Sequence, residues 1–318
     1  MKLGIIMDPI RDIKIQKDSS FAMLLASQSM GWENYYLEQN DLLLRDGEAL
    51  GTMCKLRVRD DPSGWFEMKE AITTPLEDLD IILMRKDPPV DLQYIHATQI
   101  LEIAQDSGVT VINDPASLRD FNEKLFINWF PEFIVPTLTS SDADQIRAFI
   151  YDHEDVILKP LDGMGGASIF RVRKHDTNMN VIIETLTQYG IRFAMAQKFI
   201  PEIRNGDKRI LLINGEPVPY ALARIPLTGE NRGNLAAGGN SKGVELSNRD
   251  REICEAIAPF LRENGLYFTG IDVIGDYLTE INITSPTCIR ELDKIFSIDI
   301  ARDLMETIDK IHSSDMDN

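Results

Sequence analysis

In the first third of the chain, short apolar runs alternate with helical patterns, the sequence form of a parallel sheet covered by helices. Leu3 to Met7 is the first run. Asp18, Ser19 and Ser20 then offer cap oxygens to a helix whose apolar residues Phe21, Leu24 and Leu25 recur at helical spacing, stopping near Gly31. Tyr35 to Leu37, Ile81 to Met84 and Val109 to Ile112 read as further strands. A helix over Tyr94 to Ala104 is expected to turn Ile95, Ile100, Leu101 and Ile103 inward. In such sheets ligands gather beyond the carboxyl ends of strands, which places Asp8, Arg85, Lys86 and Asp87 to meet one.

Acidic residues outnumber basic ones by 51 to 33, a formal charge of −18 that argues against a surface built to neutralise nucleic-acid phosphates. The apolar runs end far short of the ~20 residues a bilayer crossing needs, so no membrane span is expected. Met1 to Asp8 reads as a strand that meets an acid at once, unlike the basic start and apolar core of a secretory signal. Cys54, Cys254 and Cys288 are too widely separated to suggest a disulfide framework or a thiolate metal site. A cytoplasmic protein with reduced thiols fits these features.

With 318 residues, 43% of them hydrophobic, the chain can form two or three packed domains. A second unit begins near Pro115: helices are expected over Leu118 to Phe130 and Asp142 to Tyr151, and strands over Val156 to Lys159 and Ile169 to Val172 around a glycine-rich turn. A helix over Val181 to Tyr189 and a strand through Phe193 to Ile200 follow. Arg209 to Ile213 and Pro217 to Arg224 form an expected hairpin turned at Asn214-Gly215, a pair that tolerates positive φ. The long glycine-rich loop Pro226 to Gly243 reads as a lid or binding loop. A terminal helix is expected from Ile298 to Ile311, with a loose tail from Ser313 to Asn318. Met23, Phe126 and Trp129 read as core.

Two segments could carry chemistry. In Lys159-Pro-Leu-Asp-Gly-Met-Gly-Gly a lysine at a strand end precedes Gly163, Gly165 and Gly166, and a β pattern follows. A Walker loop has the reverse order and runs into a helix. The alternatives are a hairpin whose bare amides fold over phosphate oxygens, with Lys159 as a point charge, or an ordinary turn. In the second segment, Gly270 to Pro286, Glu280 and Asn282 leave the same strand face and could offer oxygens to magnesium, or merely be solvated. Asp272 stands opposite Glu280 only if the turn at Gly275-Asp276 has three residues or the strand carries a bulge. Ile271, Val273, Ile281 and Ile283 would pack the other face. Arg85, Lys124, Lys159, Arg209, Arg224 and Arg232 are candidate grips for carboxylates and phosphates. His96, His153, His175 and His312 show no metal spacing, and no Gly-x-Ser-x-Gly elbow appears.

Taken in order, the upstream lysine, the lysine with its glycine flap and the Glu-x-Asn strand resemble the ATP-grasp carboxylate-amine ligases. Met7-Asp-Pro, Lys17-Asp-Ser-Ser-Phe-Ala-Met-Leu, Leu83-Met-Arg-Lys-Asp-Pro-Pro, Asn122-Glu-Lys-Leu-Phe, Gly206-Asp-Lys-Arg, Arg232-Gly-Asn-Leu-Ala-Ala-Gly-Gly and Leu278-Thr-Glu-Ile-Asn-Ile-Thr-Ser-Pro-Thr are similar to the bacterial glutathione synthetase family. The resemblance implies an α/β ATP-grasp fold: an N-terminal parallel-sheet βα domain over 1–121, a central lid domain over 122–200 and a C-terminal α+β catalytic domain over 201–318, with a mobile loop at 226–243. It also implies a ligase that joins γ-L-glutamyl-L-cysteine to glycine through an acyl phosphate, releasing ADP and phosphate.

By the same resemblance, Lys159, Arg209, Arg224 and Arg232 carry the reaction, and Asp272, Glu280 and Asn282 hold magnesium, with manganese as the alternative. ATP meets Lys124, Lys159, Gly163, Gly165 and Gly166, the hinge Gln197, Lys198, Phe199 and Ile200, and Asp207 at the ribose. Ser19, Arg85, Arg224, Arg232 and Ser285 fall to the dipeptide or glycine. A homotetramer is implied, with neither nucleic-acid nor membrane partners. Phe121, Ala194 and Ala221 stand where close relatives are expected to carry cysteine. The rival readings are another ATP-grasp peptide ligase and a catalytically silent nucleotide-binding module; the presence of both lysines and all three oxygen ligands weighs against the second.

Overall fold

The computed structural model describes residues 1–227, 233 and 240–316. The chain forms three sheets. The first contains β1 (Lys2–Ile6), β2 (Glu33–Leu37), β3 (Leu42–Arg45), β4 (Glu48–Val58), β5 (Phe66–Met68), β6 (Ile72–Pro75), β7 (Ile81–Met84) and β8 (Thr110–Ile112). Its order is β3-β4-β2-β1-β7-β8, with β5 and β6 paired to β4. The expected strands β1, β2, β7 and β8 run parallel. β3 to β6 are an antiparallel addition that the sequence reading left without strands. α1 (Ser19–Ser29) starts where the Asp18 carboxylate accepts from the Phe21 amide at 2.7 Å.

The helices of this region follow the expectation only in part. α2 (Leu92–Asp106) buries Tyr94, Ala97, Thr98, Leu101 and Ala104, and partly buried Ile100 and Ile103 pack against the same core as expected; only Ile95 is left out of it. The helix expected over Leu118 to Phe130 is divided: α3 (Pro115–Asp120) ends at extended Phe121, and Leu125–Trp129 forms a separate 3-10 turn. The cause is local, because the Asn122 side-chain oxygen accepts from the Lys124 and Leu125 amides, both at 3.1 Å, and competes with helical bonding. Trp129 is consequently 53% exposed and is not core, whereas Phe126 and Met23 are.

The second sheet contains β9 (Thr137–Ser140), β10 (Asp155–Pro160), β11 (Phe170–Arg173) and β12 (Ala194–Lys198), antiparallel in the order β11-β10-β12-β9. It is covered by α4 (Ala143–His153) and α5 (Met179–Thr187). The third contains β13 (Asp207–Ile213), β14 (Glu216–Ile225), β15 (Asn240–Glu245), β16 (Phe268–Ile274) and β17 (Tyr277–Asn282), in the order β15-β14-β13-β16-β17. Asn214 and Gly215, at φ 51 and 78, make the expected two-residue turn between β13 and β14. α6 (Asn248–Glu263), α7 (Ile289–Phe296) and α8 (Ile300–Met316) complete the chain. α8 continues five residues beyond the expected stop at Ile311, so the loose tail is also corrected as far as Met316.

The first and third sheets share two apolar cores. Ile6, Leu37 and Met84 pack in one with Ile210, Leu212, Ile271 and Ile281; Leu3, Ile5 and Phe21 pack in the other with Leu211, Leu222, Phe268 and Leu304. The second sheet has its own core of Ile146, Ile150, Val156, Leu158, Ile183 and neighbours.

Candidate active site

A cleft of about 370 Å³ lies between the second and third sheets, and residues of both line it. From the second sheet come Lys159, the turn with Gly163, Gly165 and Gly166, and the stretch Gln197 to Ile200. Lys159, next to last in β10, is 4% exposed; its ammonium donates to the Thr279 carbonyl at 3.3 Å and stands 3.5 Å from Glu280 Oε1. Burial, seconded by Lys124, pulls its pKa below the ordinary lysine range against the opposing pull of Glu280. Lys124, released from helix by the Asn122 turn, donates to the Gly163 carbonyl and lies 4.0 Å from the same Glu280 oxygen. Gly165 and Gly166 take φ 63 and 79, a conformation that a side chain would strain.

The hinge stretch is braced from below. Arg171 grips Asp155 with two bonds, 2.8 and 2.6 Å, and stacks its guanidinium 3.5 Å from the Phe199 ring centroid. The Lys198 and Phe199 amides are used by the Pro136 and Asp155 carbonyls. Apolar Ile157, Ile169, Ile203 and Ile274 line the cleft beside this stretch, a surface suited to a flat ring.

The third sheet supplies the charged network. Between β16 and β17 the turn has two residues, since Ile274 pairs with Tyr277, yet Asp272 still pairs with Glu280. A register shift after Asp272 absorbs Thr279, so the bulge, and not a longer loop, puts the two carboxylates on one face. Ile271, Val273, Ile281 and Ile283 fill the opposite face and are fully buried. Arg209 holds Asp272 with bonds of 2.5 and 3.0 Å, and Arg224 bridges Asp272, at 3.0 Å, to Asp207. Burial would raise the Asp272 carboxyl, but the two guanidinium groups hold it well below the usual range. Burial, with Asp272 and Glu280 nearby, instead pushes Asp207 up to about 7 despite Arg224. Asp207 lines the cleft, and among the described residues its buried Oδ1 atom has no hydrogen-bond partner.

Asp272, Glu280 and Asn282 therefore stand together on the cleft face. The Asn282 amide nitrogen donates to the Gly270 carbonyl at 3.1 Å, which leaves its oxygen as the end available to a cation. Among the described residues no group of three or more His, Cys, Asp or Glu side chains could hold a metal. Two carboxylates and one amide oxygen fit a hard divalent ion that also takes phosphate oxygens.

Ser285 lines the cleft and donates to Asp87. Ser19 and Arg85 are placed differently. They lie beneath the wall: Ser19 accepts from the Ile289 amide at 3.3 Å, and Arg85 donates to Ser20 Oγ at 3.1 Å and to the Pro286 carbonyl at 2.9 Å. Burial lowers the Arg85 pKa to about 10. Arg232 and most of the expected loop 226–243 lie outside the described residues. Glu123 was missed as a site residue, although it lines the cleft; its only sequence signal is its place beside Lys124.

The architecture is shared with solved ligases. D-cycloserine synthetase DcsG superposes with a TM-score of 0.67 at 13% identity, covering 98% of this chain and 100% of that one. The ATP-grasp ligase PsnB, complexed with its precursor peptide, gives 0.61 at 16%, covering 98% of each. At such identities the likeness establishes the fold, and that fold is ATP-grasp. Residues 1–119 match the family model of the prokaryotic glutathione synthetase N-terminal domain, and residues 123–297 that of its ATP-grasp domain. Curated relatives named glutathione synthetase are similar along the whole length. That of Shewanella oneidensis is 58% identical over 97% of this chain and 98% of its own, and that of Vibrio cholerae 58% over 98% of each. The relative from Pseudomonas putida is 56% identical over 98% of each. The chain belongs to the prokaryotic glutathione synthetase family.

Proposed function

We propose that the chain is a glutathione synthetase, which joins γ-L-glutamyl-L-cysteine to glycine with ATP through an acyl phosphate and releases ADP and phosphate. The observation that carries this reading is full-length identity of 56–58% to relatives bearing that name. The cleft offers the chemistry the reaction needs. Phosphoryl transfer to the cysteinyl carboxylate is mostly a matter of positioning and charge stabilisation. Lys124 and Lys159 hold phosphate oxygens from one side while the glycine turn offers backbone amides over them. Isoleucines and the hinge carbonyls receive adenine, and Asp207 accepts from ribose. Arg209 and Arg224, held by Asp272 and Asp207, are aimed for the substrate carboxylate and the forming acyl phosphate.

Asp272, Glu280 and Asn282 would hold magnesium, or manganese, which neutralises charge on the transferring phosphoryl group. Ser285 is assigned to the acceptor end of the cleft; Ser19 and Arg85 support that wall from beneath. We assign residues 1–121, 122–200 and 201–318 to the substrate, lid and catalytic domains, and a homotetramer in the cytoplasm as the working state. Light scattering on the purified protein tests the tetramer. No helix among the described residues is long and apolar enough to cross a membrane. A coupled ADP assay tests the reaction: ADP should accumulate only when γ-glutamylcysteine and glycine are both present. Equal rates with alanine or glutamate as acceptor would favour a different peptide ligase.

A further inference from the structure

We infer that Glu123 is a positioning residue, which fixes the strand end carrying Glu280 and Asn282 to the turn carrying Lys124. The inference rests on the ligase reading above and adds to it a residue that sets the spacing between a phosphate-binding cation and the metal-type oxygens.

Glu123 acts through both its backbone and its side chain. Its carbonyl accepts from the Ile281 amide at 3.0 Å. Its carboxylate Oε1 accepts three donors: the Ile283 amide at 2.8 Å, the Thr284 amide at 3.0 Å and the Thr284 hydroxyl at 2.9 Å. β17 ends at Asn282, so the Ile283 and Thr284 amides lie past the strand and would lose this partner with nothing of the ladder to replace it. Three donors from two successive residues converge on this one oxygen, so its position fixes both of them.

Asn282 is bracketed by this clip, because Ile281 before it and Ile283 after it are both bound to Glu123. Ser285, directly after Thr284, then donates to Asp87. On the other side of the clip, Lys124 follows Glu123 in the chain, and its amide is held by Asn122. Backbone register on the oxygen-bearing strand and backbone placement of the cation thus meet in a single residue.

A carboxylate beside a cleft could instead act by its charge on substrate. Separating reach from charge decides between the two roles. Glu123→Gln keeps the length and an acceptor oxygen and loses the charge; Glu123→Asp keeps the charge and is one methylene short; Glu123→Ala loses both. Because a misplacement of about 1 Å can cost roughly a hundredfold in rate, Glu123→Ala and Glu123→Asp should each lose about 100-fold in kcat. Glu123→Gln should recover to within about fivefold of wild type, with KM for ATP shifted less than about threefold in all three. Calorimetry of ADP binding with and without Mg2+ gives a readout apart from turnover. The alanine variant should keep metal-free ADP binding and lose the additional affinity that Mg2+ confers.

An active Glu123→Asp beside a Glu123→Gln as poor as alanine would overturn the inference in favour of charge. Wild-type kcat and Mg2+-linked affinity in Glu123→Ala would overturn it outright. If the alanine variant does not fold, the glutamine and aspartate pair still decides. If the wild-type protein shows no ligase activity, the ligase reading fails, and Mg2+-linked ADP binding across the same variants still tests the clip.

Discussion

The two walls of the cleft are built on unlike foundations. The second sheet closes a small core of its own, in which Ile146, Ile150, Val156, Leu158 and Ile183 pack without a buried partner from the other sheets. The third sheet has no separate core: one face packs with β1, β2, β7 and α2, and the other with α1 and α8. The self-contained unit carries the glycine turn, Lys159 and the stretch Gln197 to Ile200 that we propose for adenine. The shared body carries Asp207, Arg209, Arg224, Asp272, Glu280 and Asn282, whose mutual spacing is set by strand pairing. The proposed nucleotide clamp is expected to open locally at lower cost than the ion-and-arginine network.

The sharpest way to break this comparison is at the body's chemistry. Glu280→Gln should reduce kcat by roughly a thousandfold, because a metal-bound phosphoryl group draws several kcal/mol of stabilisation from its ligands. Folding of both units should be unchanged by circular dichroism, and near-normal turnover across a Mg2+ titration would remove the metal assignment.

Core truncations test the foundations. Leu304 on α8 and Ile150 on α4 are both almost fully buried, so each change to alanine should cost about 2–5 kcal/mol. Leu304→Ala should weaken hydrogen-exchange protection in the first and third sheets together, whereas Ile150→Ala should weaken it only across β9 to β12. Equal loss everywhere would show that the units are not separable.

Next in size is a pH effect confined to the body. Burial raises the Asp293 carboxyl from an ordinary 3.8 to about 6, although it accepts from the Ile300 amide at 2.9 Å. The folded state holds this proton more tightly than the unfolded one, so its contribution is fully present below about pH 4 and lost as pH rises through about 6. Asp293→Asn keeps an acceptor for Ile300 and should raise the unfolding free energy at pH 8 by about 1 kcal/mol, as suits a half-exposed group, with no gain at pH 4. A gain of equal size at both pH values would refute the titration. The smallest effect belongs to the clamp: Gly165→Ala meets no atom within 4 Å but must hold φ at +63, a cost of about 1 kcal/mol. KM for ATP should rise severalfold while kcat at saturation stays near wild type.

What was legible in the sequence follows a physical line. Asn214-Gly215 and the Lys159 glycine turn could be read because positive φ restricts which residues serve there. The facing of Asp272 and Glu280 could be posed only as a choice, since the bulge at Thr279 is made by pairing between strands and leaves no composition mark. Lys124 was named, but its turn was hidden by a helical pattern that the Asn122 side chain overrides. Ser19 and Arg85 sit in matching motifs, which identify a neighbourhood; neither lines the cleft, and they bond to Ile289 and Pro286 beside it. β3, β5 and β6 went unread because they are only three or four residues long, and β4, an interior strand, because Glu48, Lys55 and Arg57 interrupt its apolar residues.

The most direct test is a crystal structure with a non-hydrolysable ATP analogue and Mn2+, read by anomalous scattering. The account predicts the triphosphate between the glycine turn and the third sheet, contacted by Lys124 and Lys159, with manganese on Asp272, Glu280 and Asn282. Nucleotide bound elsewhere, or manganese peaks remote from those three oxygens, would contradict it.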